Sequence, residues 1–583
     1  MSTKKKITAS VIVSVVLIIV GSWAIGLVSA YSTDYYHDLQ KNINLFGRVY
    51  QEITKKYVEE IDPNKFMKAG IEGMLSTLDP YTVLVEKEDN AELQIMSSGK
   101  YGGLGMRIGL RSKWPTVVEP PFNGTPASKA GIREGDKIIA VDGIDTKGKT
   151  ISDVATLLRG KIGSQVSIKI SREGEDEPIE FRLIRAEIVV TDVVYSGIID
   201  DGIGLIRLSH FSRNAGKDIE KSIRELKKEG MHALILDLRS NPGGLLEAAV
   251  NVCEDFIPKG KLLVSTQGRS AGSVQKYVSD RSPILGDMPL AILVNGLSAS
   301  ASEIVSGAVQ DLDRGVIVGS RTFGKGLVQT VVPLSSEAAL KITTAKYLVP
   351  SGRSIQDPKK VMRNSDEVLV HPILDKPEKV EPKNEIQPKS GAKKMPAKKV
   401  YYTEHGREVS AGHGITPDVV VKQEKLNRFE LELLRKTMPF QFAVVYATKH
   451  PELQRNFDVT DEMLQEFKDF LTKNHFQYQS EAELALENIK KISQKEDYYK
   501  IASTSLEDLQ KIILEQKSSQ FGLCKDFVSQ ELSREISAKL WGSKAEMEAG
   551  FKNDKVVKRA IEILSDREKY EKILQGDVKR KKK

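Results

Sequence analysis

The chain has 583 residues, with 87 lysines and arginines against 79 acidic residues and a formal charge of +8. That length exceeds a single core, so about three or four domains are expected, and so mild a charge gives no ground for a nucleic-acid partner. The two cysteines, Cys253 and Cys524, lie far apart in helical patterns and exclude a disulfide framework, while the eight histidines form no His-Glu-x-x-His pair, which sets a metalloprotease aside.

Lys4-Lys5-Lys6 precedes an uncharged stretch from Ile7 to Ala30, long enough to cross a bilayer as a helix. Positive charge ahead of the apolar run keeps the N-terminus cytoplasmic and sends the rest across. Val28-Ser29-Ala30 also suits signal-peptide cleavage, but the length of the run favours a retained anchor. Either outcome puts the remainder outside the cytoplasm, in the periplasm of a Gram-negative cell. Residues 31–98 read as a helical segment, with Leu45, Val49 and Ile53 at helical spacing and Leu78-Asp79-Pro80-Tyr81 closing it. A glycine loop follows, Tyr101-Gly102-Gly103-Leu104-Gly105-Met106, which lacks the Gly-x-Gly-x-x-Gly spacing of a nucleotide loop and suits the backbone cradle of a peptide carboxylate. Then come Gly135 to Gly143, with a tight turn at Asp142-Gly143, a helix Ile151–Leu158 and a strand Gln165–Ser171. Strands and helices alternate from Ile188 to Ile355, as in an α/β core. A Lys- and Pro-rich stretch from Lys376 to Lys399 reads as a surface insertion, after which a strand ends with Gly414-Ile415-Thr416-Pro417-Asp418. From Leu426 onward the chain is helical, Met463, Leu464, Phe467, Phe470 and Leu471 making one apolar stripe, and Lys579 to Lys583 form a solvated tail.

The chemistry concentrates in the α/β region. After the apolar run Leu290–Val294, the cluster Ser298-Ala299-Ser300-Ala301-Ser302-Glu303 predicts a strand turning sharply into a helix that starts near Ser302, which presents a hydroxyl at a helix N-terminus among free backbone amides. Phe323-Gly324-Lys325-Gly326-Leu327-Val328-Gln329 follows. A serine attacks well only when a neighbour takes its proton, and a lysine does so only when neutral. Lowering a lysine from about 10.4 to about 7 to 8 takes roughly 3 to 5 kcal/mol, which an apolar pocket supplies. Ser300 is therefore the candidate nucleophile, Lys325 the base, and Gln329 the amide that orients it; no metal or cofactor is needed. For the oxyanion, the amide of Ala301 is one donor. Arg239-Ser240-Asn241-Pro242-Gly243-Gly244, after the strand Ala233–Leu238, offers Gly243 or Gly244 as the other.

These blocks resemble those of the carboxyl-terminal processing proteases, the S41-type serine peptidases. That family's pattern runs Asp-Leu-Arg-x-Asn-Pro-Gly-Gly, Ser-Ala-Ser-Ala-Ser-Glu and Phe-Gly-Lys-Gly-x-Val-Gln, and the blocks here begin at Asp237, Ser298 and Phe323. The resemblance covers residues 35–357 with a return near 401–421, and it implies a Ser-Lys dyad of Ser300 and Lys325 supported by Gln329. It also implies a PDZ domain ahead of the protease, with Gly102, Gly103, Leu104 and Gly105 in its carboxylate loop. In such relatives the PDZ gates the active site; Arg159, in the turn after the helix, is the candidate coupling residue. The insertion departs from the simplest pattern of the family and leaves the catalytic blocks intact.

The expected architecture is multidomain α/β. It comprises a membrane anchor (1–30), a helical segment (31–98), a PDZ domain (99–186), a protease core (187–357), an inserted linker (358–400), a return strand (401–424) and a helical C-terminal domain (425–583). The expected function is a serine endopeptidase that cuts proteins near their C-termini after the PDZ captures an apolar tail. Partners are then protein or peptide substrates with exposed C-termini and the membrane, and the resemblance admits a homo-oligomer and an activator protein. A silent PDZ adaptor and a carrier of apolar ligands on the same fold are the rivals from other classes; neither has a use for a lysine beside a serine.

Overall fold

The computed structural model describes residues 36–86, 99–358 and 400–576, apart from 112, 119–120, 123, 173–174, 176, 190, 270–271, 336–337 and 423–424. The expected membrane anchor, the inserted linker and the lysine tail lie outside the described residues. Among the described residues, no helix is long and apolar enough to cross a membrane. The chain divides into two compact units, the first ending at Asp79 and the second beginning at Pro80. In the first, helix α1 (36–56) is followed by α2 (Pro63–Leu75), which Asp62 starts by accepting from the amides of Asn64 and Lys65.

The second unit opens on a strand, β1 (Val83–Glu86), where the sequence pattern suggested only helix. The short run Val83–Glu86 pairs antiparallel with a distant strand, and that partner decides the conformation. A PDZ-like module follows: β2 (Lys100–Gly103), β3 (Ile108–Arg111), β4 (Trp114–Val117), α3 (Pro126–Lys129), β5 (Lys137–Val141), β6 (Ile144–Asp145), α4 (Ile151–Leu158), β7 (Gln165–Ser171), β8 (Ile179–Ile184) and β9 (Ala186–Val189). Asp142 and Gly143 have φ of 46° and 80°, the two left-handed residues that a type I′ hairpin between β5 and β6 requires. Thr150 and Asp153 cap α4 reciprocally, and the Arg185 guanidinium donates to the carbonyls of Leu157 and Leu158 at its other end. Strand β3 stands at the edge of the sheet ordered β3-β4-β5-β7-β8.

The core proper contains β10 (Val193–Asp200), β11 (Ile203–Leu208), α5 (Ala215–Lys228), β12 (Ala233–Asp237), α6 (Leu246–Glu254), β13 (Leu262–Gly268), β14 (Gln275–Val278), β15 (Leu290–Val294), α7 (Ala301–Asp311), β16 (Val316–Gly319), β17 (Leu327–Pro333), β18 (Ala338–Leu348), β19 (Tyr401–Tyr402), β20 (Glu408–Val409) and β21 (Val419–Val420). Its main sheet runs β10-β11-β12-β15-β16-β21, parallel from β11 onward. A second sheet orders β1-β18-β13-β14, with β17 also on β18. Strands β12 and β15 are uninterrupted apolar runs apart from Asp237, all of them buried, as strands covered on both faces must be.

The cover on the two faces has different origins. Helices α5, α6 and α7 pack on one face through Ile219, Ile223, Val252, Val305 and Val309. The other face is closed by the end of the chain: α14 (Ser543–Lys552), α15 (Lys555–Leu564) and α16 (Arg567–Gln575). Val557, Ala560 and Ile563 are fully buried against Leu205, Ile235, Leu293 and Val318, each large apolar side chain contributing about 1.5–3 kcal/mol. The preceding helices are α8 (Arg428–Arg435), α9 (Met438–Lys449), α10 (Asp461–Lys473), α11 (Glu481–Lys495), α12 (Tyr499–Leu523) and α13 (Lys525–Trp541); all but α11 contribute to a separate cluster around Phe429, Phe442, Phe467 and Val528. This bundle reaches the PDZ-like module at Phe440, whose ring lies 3.7 Å from Lys539 Nζ and 5.1 Å from the Arg111 guanidinium, while Lys539 pairs with Glu134.

Candidate active site

Strands β12 and β15 are neighbours, so the loops leaving their C-terminal ends emerge side by side, where open α/β sheets place their sites. The first loop carries Ser240 to Gly244 and the second Asn295 to Ser300. Hydrogen bonds stitch them together: Ser240 N donates to Asn295 Oδ1 (2.9 Å), Ala299 N to the Asn241 carbonyl (3.0 Å), and Ser302 Oγ to the same carbonyl (2.9 Å).

Ser300 caps α7 with φ of 54° and ψ of −112°. That backbone is strained by about 1–3 kcal/mol for a residue with a Cβ, and such strain persists where the surroundings over-determine it. Gly243 is what packs beside it: a Cβ on Gly243 would lie 2.9 Å from Ser300 Cβ and 2.8 Å from Ala301 N. The Gly243 amide already donates to Asn241 Oδ1 at 2.9 Å. The amides of Gly244 and Ala301 have no acceptor among the described residues, so the turn leaves Gly244 rather than Gly243 with a donor to offer.

Lys325 is held to Ser300 by two buried side chains that the sequence reading did not assign. Glu303, fully buried, accepts from Ser300 N (2.9 Å) and Lys325 N (2.9 Å) through Oε2, and from Thr322 Oγ1 (2.6 Å) and Gly324 N (2.7 Å) through Oε1. Burial pushes its carboxyl up to about 7, the hydrogen bonds pulling the other way. The Tyr347 hydroxyl donates to the carbonyls of Ser300 (3.1 Å) and Lys325 (2.5 Å), and burial with Glu303 nearby holds this phenol neutral, well above its usual range. Glu303 was detectable: a Glu three residues after a helix-starting Ser is the spacing of a capping box. Tyr347, forty-seven positions from Ser300, had no local signal.

Beside Lys325 in the chain, Leu327 is buried and Phe323 half-buried. The ring that faces the amine is that of Tyr81, its centroid 4.7 Å from Nζ. Gln329 lies on β17 opposite Thr343 of β18, and its amide donates to Thr343 Oγ1 at 3.5 Å, a long bond. The serine, the lysine and the turn thus converge, while Gln329 stands one strand pair along.

In the PDZ-like module, the carbonyls of Leu104 and Gly105 accept from Ala127 N (2.9 Å) and Phe122 N (2.8 Å). The amides of Leu104, Gly105 and Met106 donate to no acceptor among the described residues and sit beside the free edge of β3. Gly102 and Gly103 are used otherwise, in the ladder between β2 and β9, and a Cβ on Gly102 would meet the Gly160 carbonyl at 2.1 Å. Arg159 stacks on Tyr101 at 5.4 Å, a contact inside the module.

Comparison with known proteins places several parts of the chain in described families. Residues 202–362 match peptidase family S41, 118–172 a PDZ domain, 429–564 the C-terminal helical domain of probable PDZ-proteases, and 28–89 the N-terminal domain of the activating protease CtpB. The chain is 36% identical over 329 residues to a carboxy-terminal-processing protease of Bartonella bacilliformis, covering 56% of this chain and 75% of that one. It is 36% identical over 332 residues to the carboxyl-terminal-processing protease of a Synechocystis species, covering 55% and 75%. With the carboxy-terminal processing protease CtpB of Bacillus subtilis it shares 33% over 353 residues, covering 59% and 73%. Among solved structures, the photosystem II D1 C-terminal processing protease is 30% identical, with 54% of this chain and 90% of that one covered at a TM-score of 0.31.

Proposed function

We propose, on the premise that the chain belongs to the carboxy-terminal-processing proteases of peptidase family S41, that this serine-type peptidase works through a Ser300–Lys325 dyad and selects substrates by an apolar C-terminal tail held in its PDZ domain. The observation that carries the dyad is the double bridge. Glu303 takes both backbone amides and Tyr347 both carbonyls, so Ser300 and Lys325 keep a set separation.

In the acylation step, Ser300 Oγ attacks the scissile carbonyl carbon as its proton passes to the neutral Lys325 amine. The carbonyl oxygen becomes an oxyanion, and the amides of Ala301 and Gly244 are the donors aimed at it. Collapse breaks the C–N bond, and the departing amine takes the proton from Lys325, leaving an acyl ester on Ser300. Water then attacks that ester, giving its proton to Lys325; collapse breaks the ester C–O bond, Lys325 returns the proton to the departing Ser300 Oγ, and the acid is released. Glu303 touches no substrate; by bonding the amides of Gly324 and Lys325 it sets where the lysine stem starts.

Tail capture follows from the free amides of Leu104, Gly105 and Met106, which suit a terminal carboxylate, and from β3, whose open edge can pair with an added strand alongside α4. The uncharged run Ile7–Ala30 behind Lys4-Lys5-Lys6 supports an anchored chain whose catalytic part lies outside the cytoplasm; carbonate extraction of membranes tests this.

The test of the dyad follows cleavage of an unfolded protein ending in apolar residues, with and without that tail, by the full chain and by Ser300→Ala and Lys325→Ala. The expected result is tail-dependent cleavage lost in both variants. Cleavage that survives Ser300→Ala would overturn the nucleophile, and cleavage indifferent to the tail would overturn the PDZ reading.

A further inference from the structure

The Ser300–Lys325 site is built mainly from the α/β core, yet one side chain at the lysine comes from elsewhere. Tyr81 precedes the PDZ, and its ring is centred 4.7 Å from Lys325 Nζ, within the distance at which a ring face attracts a cation. Its position is built. Strand β1 pairs along β18 with Val83 opposite Lys341 and Leu84 opposite Leu340, and Thr82 Oγ1 accepts from Thr343 N at 3.2 Å. Strand β18 also carries Tyr347, whose hydroxyl bonds the Ser300 and Lys325 carbonyls. One strand therefore registers both the dyad's backbone and the ring that covers its amine.

We propose that Tyr81 is a positioning residue of the hydrolytic site, its ring face holding the Lys325 amine and stabilising the ammonium that forms as Ser300 gives up its proton. This rests on Lys325 being the base. The amine must enter the reaction neutral and becomes charged only as the proton arrives, so a ring face favours the transition state over the ground state. The hydroxyl of Tyr81 has no part in this, because the π-face alone supplies the attraction.

The titratable groups on the elements around Lys325 are Glu303 on α7, Tyr347 and Lys341 on β18, and Asp357, paired with His413 at 3.3 Å, whose amide bonds the Gly324 carbonyl. Of these, Tyr347 is influenced by the Tyr81 phenol, which helps hold it above its usual range; Tyr81→Phe and Tyr81→Leu remove that influence alike, so a limb shift in Tyr81→Leu relative to Tyr81→Phe reports on the amine. A ring face favours the charged amine. Its loss shifts the acid limb of kcat to lower pH and lowers the plateau at high pH, since the base becomes weaker. A merely structural loss lowers the plateau and leaves the limb where it was.

The experiment measures kcat against pH on a tail-bearing substrate for the full chain, Tyr81→Phe, Tyr81→Leu and Lys325→Ala. Tyr81→Phe should match the parent, and Tyr81→Leu should fall about 2- to 30-fold at the plateau with its acid limb moved down. Progressively fluorinated phenylalanine at position 81, which weakens the ring face at nearly constant shape, should move the limb stepwise and covers the case in which the leucine variant fails to fold. An unmoved limb across this series, or Tyr81→Phe as impaired as Tyr81→Leu, overturns the proposal. Cleavage by Lys325→Ala would instead overturn the dyad itself, so the two failures are distinguishable.

Discussion

Replacing Gly243 by alanine probes the contact between the Pro-Gly-Gly turn and the nucleophile. The new Cβ would sit 2.7 Å from the Ala299 carbonyl oxygen, 2.8 Å from Ala301 N and 2.9 Å from Ser300 Cβ. Ordinary contact begins near 3.4 Å, so these atoms must separate by about 0.5–0.7 Å. Two are backbone atoms, in a segment tied down by the Ala299–Asn241 hydrogen bond, and the third is a Cβ fixed to that backbone, so no flexible side-chain end can absorb the shift. The φ of 101° adds about 1–2 kcal/mol of strain and the overlap about 1–3 kcal/mol, together about 2–5 kcal/mol. Displacing a nucleophile by 1 Å costs about a hundredfold, so a shift of half that or more should reduce kcat/KM by about 10- to 100-fold. The control is Gly230→Ala, at a φ of 92° with nothing within 4 Å of the added atom. It should lose about 1–2 kcal/mol in urea unfolding and no activity. Full activity in Gly243→Ala, or an equal loss in Gly230→Ala, would refute the argument that this turn is packed on Ser300.

Two further substitutions address the seam between the PDZ and the helical bundle. Lys539→Met removes the cation that pairs with Glu134 and lies on the Phe440 ring; both carboxylate and amine are buried, so the cost should be about 3 kcal/mol. Hydrogen exchange should quicken in β5 and α13, and unchanged exchange there would count against the seam. Glu535 is pushed up to about 7 by burial, despite Lys539 and Arg534 nearby. Because its folded value lies above the ordinary 4.5, the stability that Glu535 contributes is fully present below pH 4.5 and is lost as pH rises toward 7. Glu535→Gln, which cannot ionise, should therefore be more stable than the parent at pH 8 by about 2 kcal/mol and equal to it near pH 4.5; equal urea midpoints at both pH values would contradict this.

The parts of the site legible in the sequence were those whose geometry is local. Ser300 at a helix start, the glycines of the turn and Lys325 between two glycines each carry their conformation within a few residues, so residue type alone reports it. Gly244 could not be told from Gly243, because the choice depends on the Asn241 side chain folding back onto one amide. Tyr81 stood in view within Leu78-Asp79-Pro80-Tyr81, yet its role requires β1 to pair with β18, more than two hundred and fifty residues away.

The same division holds for the fold. Apolar runs at β11, β12, β15 and β16, alternating with helical patterns, dictate a parallel sheet buried on both faces, because such strands leave no polar side for water. What they do not dictate is which segment covers the second face. Helices 425–576 look uniform as a string of amphipathic turns, but they divide between two cores: α8 to α13 close on themselves, and α15 lays Val557, Ala560 and Ile563 on the sheet. Asp554 at the head of α15 also grips Arg239 at 2.6 Å, beside the turn that packs on Ser300. An amphipathic stripe states that a helix has something to bury; which surface receives it depends on contacts between residues hundreds of positions apart, and those form only when the chain has folded.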